Sequence, residues 1–236
     1  GLQKPFIPIN HLEAHVLSTF FNNEISFPHL CLLITGGHTQ IYLLEDLKTI
    51  NLIGETIDDA VGEAFDKVAK ILGLSYPGGY EIEKQAMSGD ENSFELPQPL
   101  TKENNLNFSF SGLKTSINLI SKKNKMDDSF IKNISASFQK CVANILITKL
   151  NKAIKSIDRT RYNNLSASVV GGVANNKYLK KCFENLEKEN GIKILYPPEF
   201  MMSDNAAMIA WATILKYSKN NDLDFKPNPR LTISQG

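Results

Sequence analysis

No stretch of the chain approaches the ~20 consecutive apolar residues that a membrane-spanning helix needs, so no segment reads as a span. The N-terminus, Gly-Leu-Gln-Lys-Pro, lacks the apolar core of a secretory signal, which argues against export. Cysteine is scarce. Cys31, Cys141 and Cys182 lie far apart with no paired spacing, which argues against a disulfide framework or thiolate zinc site and fits a reducing cytosol. The sequence also lacks a repeat of fixed period and any linker long enough to divide it cleanly.

What is present reads as globular. The 236 residues suffice for one large domain or two small ones. With 42% hydrophobic and 22% charged residues, wholesale disorder and a collagen-like fibre are excluded. The net charge of +1 hides an asymmetry. Residues 41–95 carry twelve acids against four bases, and residues 120–161 carry ten bases against three acids. Two readings stay open: solvated helical faces, or an acidic cleft beside a basic surface for a polyanion.

Strands and helices alternate, which favours an α/β fold. Leu30–Thr35 and Thr39–Leu44, joined across Gly36-Gly37, predict a hairpin. Ile57–Leu72 predicts a helix with Ile57, Ala60, Val61, Ala64, Phe65, Val68 and Leu72 inward. Tyr76–Gly79 reads as a turn and residues 88–107 as a loop. A long amphipathic helix is expected over Ser129–Leu150. A strand over Ser166–Val170 ends in Gly171-Gly172, and a helix from about Asn175 to Glu189 stops at Asn190-Gly191. Ile192–Tyr196 predicts a strand. Asp204–Tyr217 predicts a helix with Ala207, Met208, Trp211, Ile214 and Leu215 inward.

Four constellations could carry chemistry. Asn10 and Glu13 form a capping-box pattern that places His11 and His15 in the first turns of a helix. At i and i+4 the two imidazoles share a face and could share a metal, although surface histidines have the same spacing. Leu12 stands where a zinc protease needs its glutamate, so that reading loses its general base. The pairs Gly36-Gly37 and Gly171-Gly172, with Pro77-Gly78-Gly79, offer backbone N–H groups to phosphate. Asp59, Glu63 and Asp66 read from spacing alone as a solvated, ion-paired face. Asp204 reads as a carboxylate favoured by a helix N-terminus.

Taken together these residues carry a resemblance. His11-Leu-Glu-Ala-His15, Thr35-Gly-Gly-His-Thr-Gln40, Gly54 to Lys67, Tyr76-Pro-Gly-Gly79, Phe108-Ser-Phe-Ser-Gly-Leu-Lys114, Gly171-Gly-Val-Ala-Asn-Asn176 and Ser203-Asp-Asn205 follow one another in order. The chain resembles the TsaD family, the tRNA adenosine threonylcarbamoyltransferases, from about Pro5 to Arg230. Ala174-Asn175-Asn176 departs from the family's usual Ser-Ala-Asn, but Asn176 keeps its place.

The resemblance implies an α/β, actin-like ASKHA (ribonuclease H-like) lobe with a helical insertion at about residues 80–160. Residues 1–29 would be a junction helix and 30–236 the second lobe. Family members begin about 100 residues earlier, the length of a small domain, so the 236 residues alone are expected to catalyse little transfer. The resemblance places metal ligands at His11, His15 and Asp204 for one divalent ion, Fe2+ ahead of Zn2+. It places substrate-binding positions at Leu33, Ile34, Thr35, Gly36, Gly37, Asp66, Gly79, Glu83 and Asn176. Asp66 thereby moves from a solvated face into a cleft. His38 is a candidate phosphate contact, and no side chain is assigned as general base. The implied reaction moves threonylcarbamoyl from threonylcarbamoyl-AMP to N6 of adenosine 37 in tRNAs reading ANN codons. A TsaB-type paralogue and a TsaE-type ATPase are the implied partners, in the cytoplasm and away from membranes. Rival readings are a kinase-like phosphotransferase on the same scaffold and a non-catalytic scaffold paralogue.

Overall fold

The structure is a computed structural model that describes residues 7–158, 165–216 and 233. Its centre is a five-stranded mixed sheet in the order β3-β2-β1-β4-β5. β1 (His29–Ile34), β2 (Thr39–Leu44) and β3 (Ile50–Glu55) form an antiparallel meander, while β4 (Ser166–Val170) and β5 (Lys193–Leu195) add in parallel. β1 is buried at all six positions, as a central strand covered on both faces should be. One face packs against α2 (Val61–Ile71), α5 (Asp128–Ser156) and α6 (Lys177–Asn190) through Leu30, Leu32, Ile34, Phe65, Phe138 and Leu179. The other meets α1 (His11–Leu17) through Cys31, Leu33, Leu12 and Val16. α3 (Gly78–Ala86) and α4 (Ser111–Ser121) flank α2, and α7 (Ala206–Lys216) lies on α1.

Three expectations are corrected. The helix expected from Ile57 starts at Val61, and Ile57 is 62% exposed. The reason is polar: the Thr56 hydroxyl donates to Asp59 O (2.7 Å), and the Val61 N–H donates to Thr39 Oγ1 (2.8 Å), so residues 56–60 form a turn. Ile214 also faces outward, because α7 seats Met208 and Ala212 on Ala14 and Leu17. Asn205, not Asp204, caps α7 by accepting from the Met208 N–H (3.0 Å). The expected end of that helix at Tyr217 lies outside the described residues.

The basic stretch is less available than its composition implied. Lys149 is fully buried, and its ammonium donates to Leu100 O (2.6 Å) and Asn105 O (2.7 Å). Lys152 donates to Thr101 O and Glu103 O, while Lys140 pairs with Glu91 and Lys132 with Asp128. Lys149 and Lys152 thus solvate carbonyls of the loop before α4. Arg159 and Arg161 lie outside the described residues.

β1 and β4 are also joined by a titratable side chain. The buried His29 ring sits between the hydroxyls of Ser166 and Ser168, 2.8 Å from each. Burial lowers its pKa from 6.5 to about 3. A histidine whose folded pKa is depressed contributes stability above pH 6.5 that is lost as pH falls toward 3. At pH 5 the loss is about 2 kcal/mol at 1.36 kcal/mol per unit. Urea unfolding at pH 7 and pH 5 checks this: His29→Gln is expected to lessen the pH dependence by about that amount.

Candidate active site and metal centre

α1 begins where Asn10 Oδ1 accepts from the N–H groups of Leu12 (2.9 Å) and Glu13 (3.2 Å). The Glu13 carboxylate, buried at the α1–α7 contact, accepts from Lys216 Nζ (2.6 Å). The Trp211 indole N–H donates to Leu17 O (3.1 Å). These ties fix α1 against α7 and bring the residue just before α7 to the histidines. His15 Nε2 lies 2.9 Å from Asp204 Oδ1, and His11 Nε2 lies 3.5 Å from the same oxygen. The two rings meet edge to face at 4.9 Å.

One ligand atom from each of His11, His15 and Asp204 lies within 4.8 Å of the others, close enough to share one ion. The donor set suits a divalent metal: two imidazoles and a carboxylate. Burial holds His15 below the ordinary imidazole range despite the opposing pull of Asp204, which favours the neutral form that metal ions bind. His15 Nδ1 is buried without a hydrogen-bond partner among the described residues. His38, half-buried on the β1–β2 turn, is lowered by burial and then by the charge of His11.

Beside this triad lies a cavity of about 470 Å3. Gly36 from the β1–β2 turn and Gly172 from the turn after β4 both line it, as do Asp66 of α2, Gly79 and Glu83 of α3, and Asn176. Ser203 also lines it, so the residue before Asp204 connects cavity and triad. Close backbone approach makes this possible: a Cβ on Gly62 would stand 2.7 Å from Thr35 O, so only glycine lets α2 abut the turn.

The polar groups are largely committed. Asp66 Oδ1 accepts from the Gly78 N–H (2.8 Å), and Glu83 Oε1 accepts from the Lys177 N–H (2.7 Å). Neither Asp66 Oδ2 nor Glu83 Oε2 has a hydrogen-bond partner among the described residues. Asn176 Oδ1 caps α6 by accepting from the Leu179 N–H (2.9 Å), and its Nδ2 donates to Gln139 Oε1 (2.8 Å). The Thr35 hydroxyl accepts from the N–H groups of both Gly37 (3.2 Å) and His38 (2.9 Å). The turn's supply of donors therefore narrows to Gly36, whose N–H has no protein acceptor among the described residues. Leu33 and Ile34 are fully buried in the two cores and do not line the cavity. Gln139 and Tyr80 carry no assignment from the sequence, and Tyr76 and Ser203 figure there only within motifs, not as site residues. Gln139 had only a weak signal, being one of several polar residues, with Ser135, Ser137 and Lys149, on the buried side of α5.

The fold is of the ASKHA type. HypF, solved in its phosphate- and nucleotide-bound form, superposes with a TM-score of 0.64 over 92% of this chain and 37% of its own, at 16% identity. Component A of (R)-2-hydroxyglutaryl-CoA dehydratase from Acidaminococcus fermentans superposes with a TM-score of 0.50 over 88% of this chain and 70% of its own, at 17% identity. Residues 1–211 match TsaD, tRNA N6-adenosine threonylcarbamoyltransferase, and the chain belongs to that family of transferases. The tRNA N6-adenosine threonylcarbamoyltransferase of Rickettsia rickettsii (strain Sheila Smith) is 43% identical over 99% of this chain and 69% of its own length. That of Wolbachia pipientis wMel is 42% identical over 97% of this chain and 68% of its own. The acceptor is thus tRNA, and no observation favours the phosphotransferase or silent-scaffold readings.

Proposed function

We propose that the cavity binds threonylcarbamoyl-AMP and that the triad side of it faces the reacting carbonyl. The carrying observation is the junction itself: Ser203 lines the cavity and Asp204 meets both histidines. In this reading the free oxygens of Asp66 and Glu83 accept the ribose hydroxyls, and the remaining N–H of Asn176 flanks the nucleoside. The Gly36 N–H and the Gly171-Gly172 turn receive phosphate. Gln139 orients Asn176 from below.

The acceptor is N6 of adenosine 37 in tRNAs reading ANN codons. N6 attacks the carbamoyl carbon, the bond from that carbon to the phosphate oxygen breaks, AMP leaves, and N6 loses a proton. His11, His15 and Asp204 would hold an Fe2+, with Zn2+ the alternative, the two-histidine-one-carboxylate set being typical of Fe(II). Such an ion supplies Lewis-acid polarisation and offsets charge as AMP departs. His38, on the same turn as Gly36, is placed to contact phosphate.

We read residues 30–236 as the second lobe of an actin-like protein, with 80–160 a helical insertion and residues 1–29 a junction. A TsaB-type paralogue and a TsaE-type ATPase are its proposed partners, in the cytoplasm. No helix among the described residues is long and apolar enough to cross a membrane.

Glu83 tests the donor site. Glu83→Ala is expected to weaken AMP binding by about tenfold or more, since a hydrogen bond to a charged group is worth ~1.5–3 kcal/mol. Glu83→Gln keeps an acceptor for the Lys177 N–H and is expected to fall between. Calorimetric titration reads both. A Glu83→Ala protein that folds normally and binds AMP as tightly as wild type would remove the donor from this cavity.

A further inference from the structure

A second cavity of about 470 Å3 abuts the first, with Asp66 and Tyr76 lining both. It lies between the C-terminal half of α2 and the turn that leads to α3, and Lys70, Leu74 and Ser75 line it but not the first cavity. Tyr76 is 83% exposed, and Tyr80, at the rim of the first cavity, is 62% exposed. Rings left so bare gain little from packing within the protein. They offer flat surfaces on which an unpaired base can stack.

The cations on this wall differ. Lys67 is consumed by Asp59 (2.6 Å) and Glu63 (2.8 Å). Lys70 is exposed and makes no ion pair among the described residues. One bare aromatic ring, one uncommitted ammonium and a hydroxyl around an open cavity match one nucleotide of a single strand, with its base on the ring and its phosphate at the cation. The target adenosine must bring N6 to the donor in the first cavity, and its neighbour in the strand then falls across the wall that Asp66 and Tyr76 make.

We infer that the second cavity takes the nucleotide adjoining the target adenosine in the tRNA anticodon loop, with its base on Tyr76 and its phosphate at Lys70. This rests on the first cavity being the donor site. The cavity then acts as a register device: one base is held beside the reacting one, and the strand cannot slide.

An anticodon stem-loop RNA carrying 2-aminopurine on the 5′ or the 3′ side of the target adenosine tests this on the full chain. One of the two probes is expected to be quenched on binding, and the quenching to vanish in Tyr76→Ala. That variant should bind the stem-loop about tenfold more weakly, while Tyr76→Phe binds as wild type. Lys70→Gln should reduce the slope of log affinity against log salt by about 0.7, one single-strand phosphate contact, and leave AMP binding unchanged. Unaltered RNA affinity and salt slope in Tyr76→Ala and Lys70→Gln would overturn the inference. So would AMP titrating two sites with one lost in Lys70→Gln, because the cavity would then hold a free nucleotide. If Glu83→Ala leaves AMP binding intact, it is the donor reading that falls, and the Tyr76 and Lys70 results still decide the second cavity by themselves.

Discussion

Replacing His15 with alanine is expected to abolish binding of the divalent metal proposed for the triad and to lower threonylcarbamoyl transfer about a hundredfold or more, since metal-held charge stabilisation is worth several kcal/mol. The three proposed ligands are unequal in setting. The His15 side chain is 1% exposed and fixed in the α1–α7 contact, whereas His11 and Asp204 are 51% and 74% exposed. A ligand held rigidly before the ion arrives loses little freedom on binding it, so His15→Ala should cost more than His11→Ala. The fold should survive. The buried Nδ1 has no hydrogen-bond partner among the described residues, so removing it relieves a desolvation cost that offsets part of the lost packing. Metal content of anaerobically purified protein and the rate of labelled-threonine incorporation into tRNA check this together. A His15→Ala protein that keeps one metal per chain and transfers at the wild-type rate would contradict it.

Gly171→Ala is expected to destabilise the protein by about 3 kcal/mol or more, combining backbone strain with overpacking. Gly171 has φ 98° and ψ 164°, a conformation that a Cβ disfavours. That Cβ would stand 2.4 Å from Ile34 O and 2.8 Å from Thr35 Cγ2. Neither neighbour can retreat, because Leu33 pairs with Val170 in the central β1–β4 ladder one residue away. The damage therefore falls where both glycine turns leave the sheet. Gly172→Ala is the contrast, since its Cβ meets nothing within 4 Å. It should unfold like wild type and bind AMP more weakly, because Gly172 lines the cavity. Urea denaturation separates the two variants, and equal midpoints would refute the packing argument.

Which elements were legible depended on whether their signals were local. β1, β2, β4 and α5 carry their own apolar patterns and were readable within a few residues. β3 escaped because it is an edge strand buried at only two of its six positions. α3 and α4 escaped because neither has a side-chain cap of its own. The start of α4 is instead tied from far upstream: Asp58 Oδ1 accepts from the Phe110 N–H (2.8 Å), and Asp58 Oδ2 from the Ser109 and Ser111 hydroxyls. No window around Ser111 contains that carboxylate. The site divides the same way. The i,i+4 histidines were visible from spacing, whereas Asp204, 189 residues from His15, was linked to them only by resemblance. Asp66 read as solvated because the residue that uses its carboxylate, Gly78, lies on another helix.

In the proposed function His11, His15 and Asp204 serve the same centre as the cavity lined by Asp66, Glu83 and Asn176. That shared centre is tested most directly by a crystal grown anaerobically with Fe2+ and a non-transferable analogue of threonylcarbamoyl-AMP, with anomalous scattering recorded at the iron edge. One iron peak is expected within coordinating distance of all three side chains, with the adenosine in the cavity and the carbamoyl end directed to the peak. Iron bound elsewhere, or adenosine outside that cavity with the triad empty, would contradict it.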